Sequence, residues 1–170
     1  MKIRPERREE FPLLYEFVRT AFATAKVSDG TEQDFVDRLR AGSGYLPALA
    51  LVAEEDGALL GHIMFTETRI RLAAGGERTI LLLAPLAVAL EHRGRGIGSA
   101  LVREGFRIAR EMGYGAVALC GDPAYYGRFG FRESAGTYGI VQPGMEARYC
   151  LACELVPSAL GDAAGELDLL

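Results

Sequence analysis

The stretch that most constrains this chain runs from Leu81 to Ser99. An apolar run, Leu81-Leu82-Leu83-Ala84-Pro85-Leu86-Ala87-Val88, is followed by Arg93-Gly94-Arg95-Gly96-Ile97-Gly98-Ser99 and then by a helical pattern reaching Met112. A strand that feeds a glycine-rich loop straight into a helix commits the next strand to lie parallel to the first, since strand-helix-strand crossovers return to the same sheet. The next apolar run, Gly115 to Cys120, is short and does not alternate, as a buried parallel strand should not. Pro85 cannot donate a ladder hydrogen bond, yet its neighbours read as buried, so a bulge in an inner strand is expected there.

Upstream, Lys2 to Arg4 reads as a short strand, and Phe11, Leu14, Tyr15, Val18 and Phe22 recur at helical spacing from Arg7 to Ala23. Phe35, Val36 and Leu39 mark a second helix after Asp29-Gly30-Thr31. Ala48 to Glu54, Leu59 to Leu72 and Arg78 to Leu90 are strand-like, and Asp56-Gly57 and Ala74-Gly75-Gly76 between them are hairpin signals. In the long helix Ile97, Leu101, Ile108 and Met112 share one face, with Arg103, Arg107, Arg110 and Glu111 mostly off it, and Gly113 ends it. Asp122 is a plausible N-cap for a short helix to Phe129, with Pro123 in its first turn. Phe131 to Arg132 and Ala147 to Leu155 supply the last strands.

At 170 residues, with 49% hydrophobic and 25% charged content, the chain suits one domain able to remove roughly two thirds of its unfolded surface from water without metal or disulfide staples. The net charge of -4 excludes a chain-wide electrostatic grip on nucleic acid, so any anion site is local. Arginine supplies 17 of the 19 basic residues, and its planar fork suits phosphate and carboxylate. Met1 to Pro5 lacks the apolar run of a signal peptide and no segment has 18 consecutive apolar residues, so no membrane role and a cytoplasmic location are expected.

The loop from Arg93 to Ser99 points backbone N–H groups at one spot, the helix dipole favours negative charge there, and glycine lets an anion approach the main chain. Diphosphate is the natural guest. The bare spacing recurs by chance, and its weight comes from its place between strand and helix. The glycines at 94, 96 and 98 do not fit Gly-x-Gly-x-x-Gly, and Gly-Lys-Ser/Thr is absent, which disfavours ATP and NAD readings of the loop.

Leu86-Ala87-Val88, Arg93-x-x-Gly96-x-Gly98 on a strand-loop-helix unit, and Tyr126 four residues before Gly130-Phe131 together resemble the GNAT N-acetyltransferase superfamily, and within it Asp122-Pro123-x-Tyr125-Tyr126 resembles a subgroup of uncharacterised bacterial members. The likeness in element order spans residues 2 to 155. It implies an α/β fold with a mixed, mostly antiparallel sheet, one β-α-β crossover and a V-shaped splay between the two central parallel strands. Residues 1–156 would form the transferase domain and residues 157–170 a C-terminal tail, either disordered or packed through Leu167, Leu169 and Leu170.

The resemblance further implies acetyl-CoA as cosubstrate, no metal, and direct acyl transfer to a primary amine in a ternary complex. The main chain of Leu86, Ala87 and Val88 would pair with the pantetheine amides. The N–H groups of Gly94, Arg95, Gly96, Ile97, Gly98 and Ser99 would hold the diphosphate, with Arg93 and Arg95 adding charge, and Asp122 and Tyr126 would border the cofactor. Tyr126 takes the family position for protonating the departing thiolate; its plainer reading is an aromatic packed on the core. A carboxylate or a water chain must take the ammonium proton. Glu67, on a strand face with Ile63, Phe65 and Arg69, is the candidate base, although it could equally pair with Arg69 or Arg71; Glu91, His92 and Asp122 are weaker candidates. The acceptor, a small-molecule amine or a protein amino group, would meet Phe22 to Thr31 and Ser134 to Met145, the latter a mobile loop on its glycines. The state is monomer or homodimer. The competing class is a non-catalytic CoA-binding regulatory module.

His62, between Gly61 and Ile63, reads as a satisfied core or interface histidine. Cys150-x-x-Cys153 lies in a strand, where residues three apart face opposite ways, which is wrong for chelation or a dithiol. Cys120 reads as a small core residue. The aromatics of Tyr125 to Phe131 could stack bases, but the acidic total charge argues against nucleic acid.

Overall fold

The computed structural model describes residues 1–168. It divides into two compact units, one of Met1–Thr66 with Leu83–Ile108, the other of Glu67–Leu82 with the chain from Ala109 onward. Two long strands, β3 (Ala58–Leu72) and β4 (Glu77–Val88), contribute residues to both, as does the helix α3 (Ile97–Glu111).

In the first unit β1 (Lys2–Pro5) pairs antiparallel with β2 (Tyr45–Glu55), and β2 pairs antiparallel with β3. Asp56 and Gly57 join β2 to β3 with φ of 51° and 78°, the two left-handed residues that a tight hairpin matched to strand twist requires. Helices α1 (Phe11–Phe22) and α2 (Glu32–Ala41) fill the interval between β1 and β2, and α1 buries Leu14, Val18 and Ala21. The expected helix stripe of α3 is met in part. Ile97 and Leu101 of that stripe are buried, but Ile108 is half-buried and Met112 exposed, and Val102, Phe106 and Ala109 are buried as well; the Phe106 ring pairs with Phe65 at 6.2 Å between centroids.

A buried ionic cluster, not foreseen from the sequence, ties β1 to its neighbours. The Glu6 carboxylate is wholly buried and accepts four hydrogen bonds: Arg40 Nε (2.8 Å) and the Tyr45 hydroxyl (2.8 Å) on Oε1, Arg40 Nη2 (2.9 Å) and His62 Nε2 (2.7 Å) on Oε2. Burial alone would raise the Glu6 carboxyl; the hydrogen bonds from Arg40 and His62 outweigh it and bring it to about 2. Arg40 also lies over the Phe11 ring, 4.3 Å from its centroid. Burial holds the His62 imidazole below its ordinary value against the pull of Glu6, and a neutral ring donating from Nε2 leaves Nδ1 as a buried acceptor with no partner among the described residues. The expectation of a satisfied histidine is met at one nitrogen and not at the other.

In the second unit β4 pairs in parallel with β5 (Ala116–Cys120) at Leu81↔Val117 and Leu82↔Ala118, giving the expected β4–α3–β5 crossover. β5 pairs antiparallel with β8 (Cys150–Glu154), and β8 with β6 (Arg132–Glu133). The class is therefore mixed α/β with a mostly antiparallel sheet. Two expectations change here. The glycine-containing segment after Phe131 is not a structureless loop: it forms α5 (Ser134–Tyr138) and β7 (Ile140–Val141), fixed by the buried Ser134 hydroxyl donating to Ile140 O at 2.9 Å and by Gln142 donating to Leu119 O at 3.2 Å. Nor do residues 157–168 stand apart from the domain as a tail: of the two alternatives for this segment, packing holds at Leu167. Gly165–Asp168 forms β9, antiparallel to β3 and parallel to β7, and Leu160, Ala163 and Leu167 join Ile70, Ile80, Ala118 and Ala152 in the core. Apolar spacing was too sparse to announce β9. The expected packing of Leu169 and Leu170 lies outside the described residues.

The buried cluster makes stability depend on pH with a definite sign. Glu6 titrates lower in the native state than its ordinary 4.5, so its contribution is present above 4.5 and is lost as pH falls from there through about 2. His62 titrates below 6.5 in the native state, so the unfolded chain takes up a proton near 6.5 that the native ring refuses, and stability falls from there downward. Thermal melts between about pH 7 and pH 5 should show a His62→Gln variant with the shallower decline, the difference being at most about 1.4 kcal/mol per pH unit; an unchanged slope would contradict the assignment. Glu6→Ala, which strands the Arg40 charge, should cost about 3–5 kcal/mol in urea unfolding.

Candidate active site

The loop singled out in the sequence is built in the first unit. β4 ends at Val88, Ala89 N donates to Leu60 O at 2.9 Å, and a single 3-10 turn, Leu90–His92, redirects the chain into Arg93–Gly96. Leu86 and Val88 are half-buried on one side of the strand and Ala87 is buried on the other. Gly94 and Gly96 both hold left-handed backbone, φ +77° and +78°, and a Cβ on either would meet no atom within 4 Å. Backbone conformation, not crowding, requires glycine there. Ala100 N donates to Gly96 O at 3.0 Å, so the α3 ladder starts at that bond and the N–H groups of Ile97, Gly98 and Ser99 have no acceptor within the helix. Gly96 has no side chain to cap them. The arrangement is a set of main-chain donors at a helix N-terminus with room above the main chain, which suits a diphosphate.

The two arginines of the loop sit differently. Arg93 donates to Ala21 O at 2.7 Å and to Thr24 Oγ1 at 3.3 Å, holding the C-terminal turn of α1. Arg95 lies beside His92 Nδ1 at 2.6 Å and Glu55 at 3.4 Å, on an exposed side chain. His92 is thus the neighbour of a cation, and Glu91 is exposed on the same turn.

What seats α3 is a pair of glycine contacts the sequence reading passed over. An ideal Cβ on Gly61 of β3 would stand 2.8 Å from Leu101 Cδ1, 3.0 Å from Ile97 Cγ2 and 3.2 Å from Ala87 O. One on Gly105 of α3 would stand 2.2 Å from Phe65 Cε2. Helix and strand approach more closely than any side chain at these positions allows. Gly61 beside a buried strand pattern and Gly105 within an apolar helix face were the available signals.

In the second unit Asp122 Oδ1 accepts from Ala124 N at 2.9 Å, so this carboxylate caps α4 (Pro123–Tyr126), as its plainer reading held. Tyr126 makes edge contacts with Tyr125 at 5.0 Å and with Phe131 at 5.7 Å, and its ring covers Gly121, where a Cβ would come within 2.6 Å of Cε2. No hydrogen bond of its hydroxyl occurs among the described residues, and burial pushes that hydroxyl above the ordinary phenol range, which keeps the proton on it. Arg128 stacks on Tyr125, 4.5 Å from its centroid, so these aromatics are occupied with one another and with that cation.

Glu67 is exposed on β3, and its Oε1 accepts a 2.6 Å hydrogen bond from the Tyr114 hydroxyl, a partner the sequence did not indicate. Burial first and this bond second push Tyr114 up to about 12. Arg69 and Arg71, the pairings considered for Glu67, go to Glu77 and Glu166 instead. Among the described residues no group of three or more His, Cys, Asp or Glu is arranged to hold a metal ion, and no helix is long and apolar enough to cross a membrane.

Comparison with known proteins places these features in context. The family model for an acetyltransferase (GNAT) domain matches residues 2–134. The uncharacterized N-acetyltransferase YjhQ of Escherichia coli is 38% identical over 115 residues, which are 66% of this chain and 61% of YjhQ. The uncharacterized N-acetyltransferase YhbS of the same organism is 33% identical over 138 residues, 79% of this chain and 75% of YhbS. The crystal structure of E. coli YhbS in complex with CoA superposes with a TM-score of 0.83 and 31% identity, covering 98% of this chain and 87% of that one. A GNAT family acetyltransferase from Brucella melitensis in complex with acetyl-CoA gives a TM-score of 0.76 and 33% identity over 98% of this chain and 93% of that one.

The glycine seat of α3 can be tested by double substitution. Gly105→Ala forces a methyl group into the Phe65 ring and should cost about 1–3 kcal/mol in urea unfolding. Combined with Phe65→Leu, the two losses should sum to less than their separate values by at least about 0.5 kcal/mol; strict additivity would contradict the contact.

Proposed function

Because the chain belongs to the GNAT acetyltransferase family, we propose that it is an acyl-CoA-dependent N-acyltransferase, moving acetyl from acetyl-CoA directly to a primary amine. The observation that carries this reading is the loop from Arg93 to Ser99: two left-handed glycines deliver uncapped N–H groups of α3 immediately after Leu86–Val88. Relatives above 30% identity that are complexes with CoA or acetyl-CoA support the same ligand here.

In this reading the N–H groups of Gly94 to Ser99 hold the diphosphate and Arg95 adds charge from the loop's exposed side. Arg93, held on α1 by its bonds to Ala21 O and Thr24 Oγ1, adds charge from that side. The Leu86–Val88 main chain takes the pantetheine amides as an added strand takes its neighbour. The deprotonated amine attacks the thioester carbonyl, a C–N bond forms, the C–S bond breaks, and the thiolate leaves. Tyr126, whose hydroxyl keeps its proton at neutral pH, supplies that proton and is reprotonated, through water, by the proton that the nitrogen sheds as the amide forms. Glu67, exposed and already accepting from Tyr114, takes the ammonium proton through water. The acceptor is a small-molecule amine or a protein amino group, the site of action is the cytoplasm, and the working unit is a monomer or homodimer.

Acetyl-CoA-dependent thiol release in the presence of a panel of amines tests the proposal. Wild-type protein should turn over with at least one amine class, and Tyr126→Phe should lose about a hundredfold or more in turnover while keeping its affinity for acetyl-CoA. Undiminished turnover in Tyr126→Phe would remove that residue from its role. CoA binding without turnover on any amine would favour the regulatory module instead.

A further inference from the structure

Cys120 closes β5 and Cys150 opens β8, and the antiparallel register sets them directly opposite one another. Their Sγ atoms are 3.7 Å apart, and Cys150 Sγ also lies 3.3 Å from Glu146 O, to which its thiol donates. Cys153, in the same strand as Cys150, is opposite Val117 and faces the other way, as odd spacing in a strand demands. The dithiol therefore joins two strands and is not the Cys-x-x-Cys of the sequence. The two thiols also differ in access: Cys120 is half-buried, whereas Cys150 and Cys153 are both 2% exposed.

We propose that Cys120 and Cys150 form a site of reversible covalent modification, closing to a disulfide by exchange with a low-molecular-weight disulfide of the glutathione class. Cys120, the accessible partner, loses its proton and attacks one sulfur of the small disulfide; a Cys120–S bond forms, the small S–S bond breaks, and one thiolate leaves and takes up a proton. Cys150 then loses its proton and attacks Cys120 Sγ, displacing the second small thiolate. The two protein thiols are oxidised by two electrons and the small disulfide is reduced to two thiols. A disulfide needs its sulfurs about 2.0 Å apart, within reach of opposed cysteines on paired strands by side-chain rotation. Burial raises both thiols, which makes the exchange slow but does not alter its direction. The closed loop would hold α4 and α5 and would fix the strand end that leads through Gly121 to Tyr126. The proposal does not depend on acyl transfer.

The test uses fully reduced wild-type protein incubated with oxidised glutathione, then denatured for thiol counting and peptide mapping. The three free thiols should fall to one, with the peptide holding Cys120 joined to the peptide holding Cys150, Cys153 still open to alkylation, and full reversal by dithiothreitol. The thermal midpoint of the oxidised form should rise, since the cross-link restricts the unfolded chain. Cys150→Ser should instead trap a glutathione adduct on Cys120, and Cys120→Ser should keep both remaining thiols; if either serine variant fails to fold, the wild-type map decides alone. Three thiols retained under conditions that oxidise a dithiol peptide, a link to Cys153, an unresolved adduct on wild-type Cys120, or a cross-linked dimer would each overturn the proposal.

Discussion

The close approach of α3 to β3 is the contact on which the rest of the loop's geometry depends. At Gly61 and Gly105 the space that a Cβ would take is occupied by side chains of the facing element, Leu101 and Ile97 at the first and Phe65 at the second. A helix held that rigidly has a fixed N-terminus, and its first N–H groups emerge where β4 hands the chain over through Leu90–His92. Two left-handed glycines then complete the turn without a side chain over the donors. The chemistry of the loop follows from packing one layer below it, and changes to that packing should reach the loop without touching it.

A second constraint works at the other end of the same unit. Glu6, just past β1, draws Arg40, Tyr45 and His62 onto one carboxylate, so α2, β2 and β3 are cross-linked through hydrogen bonds to a single buried charge. Replacing such a cluster by apolar residues is often neutral for stability, whereas removing one member is costly. Among the described residues His62 Nδ1 is the one ring nitrogen of this cluster that donates or accepts no hydrogen bond.

Much of this was legible beforehand because strand and helix periods, hairpin turns and the strand-loop-helix signature are local. The six longest elements, the loop glycines, the Asp122 cap and the parallel β4–β5 pair follow from residues close in sequence. What was not legible depends on contacts between distant residues. Glu6 lies 56 residues from His62, Tyr114 lies 47 from Glu67, and Cys120 lies 30 from Cys150. β9 has only Leu167 to mark an inner face, and the second parallel ladder, β7 with β9, is set by tertiary pairing alone. Gly139 read as a source of mobility, yet it ends α5 in left-handed backbone, and a Cβ there would stand 3.0 Å from Ala164 Cβ.

Calorimetric titration of the folded protein with acetyl-CoA, and with ATP and NAD as controls, tests the central claim most directly. An Arg95→Glu, Gly96→Asp double variant, shown by its melting curve to be folded, serves as the reference. Micromolar binding of acetyl-CoA alone, abolished in the double variant, is the predicted result. Binding that survives the double variant, or no binding of acetyl-CoA by the wild type, would contradict the account.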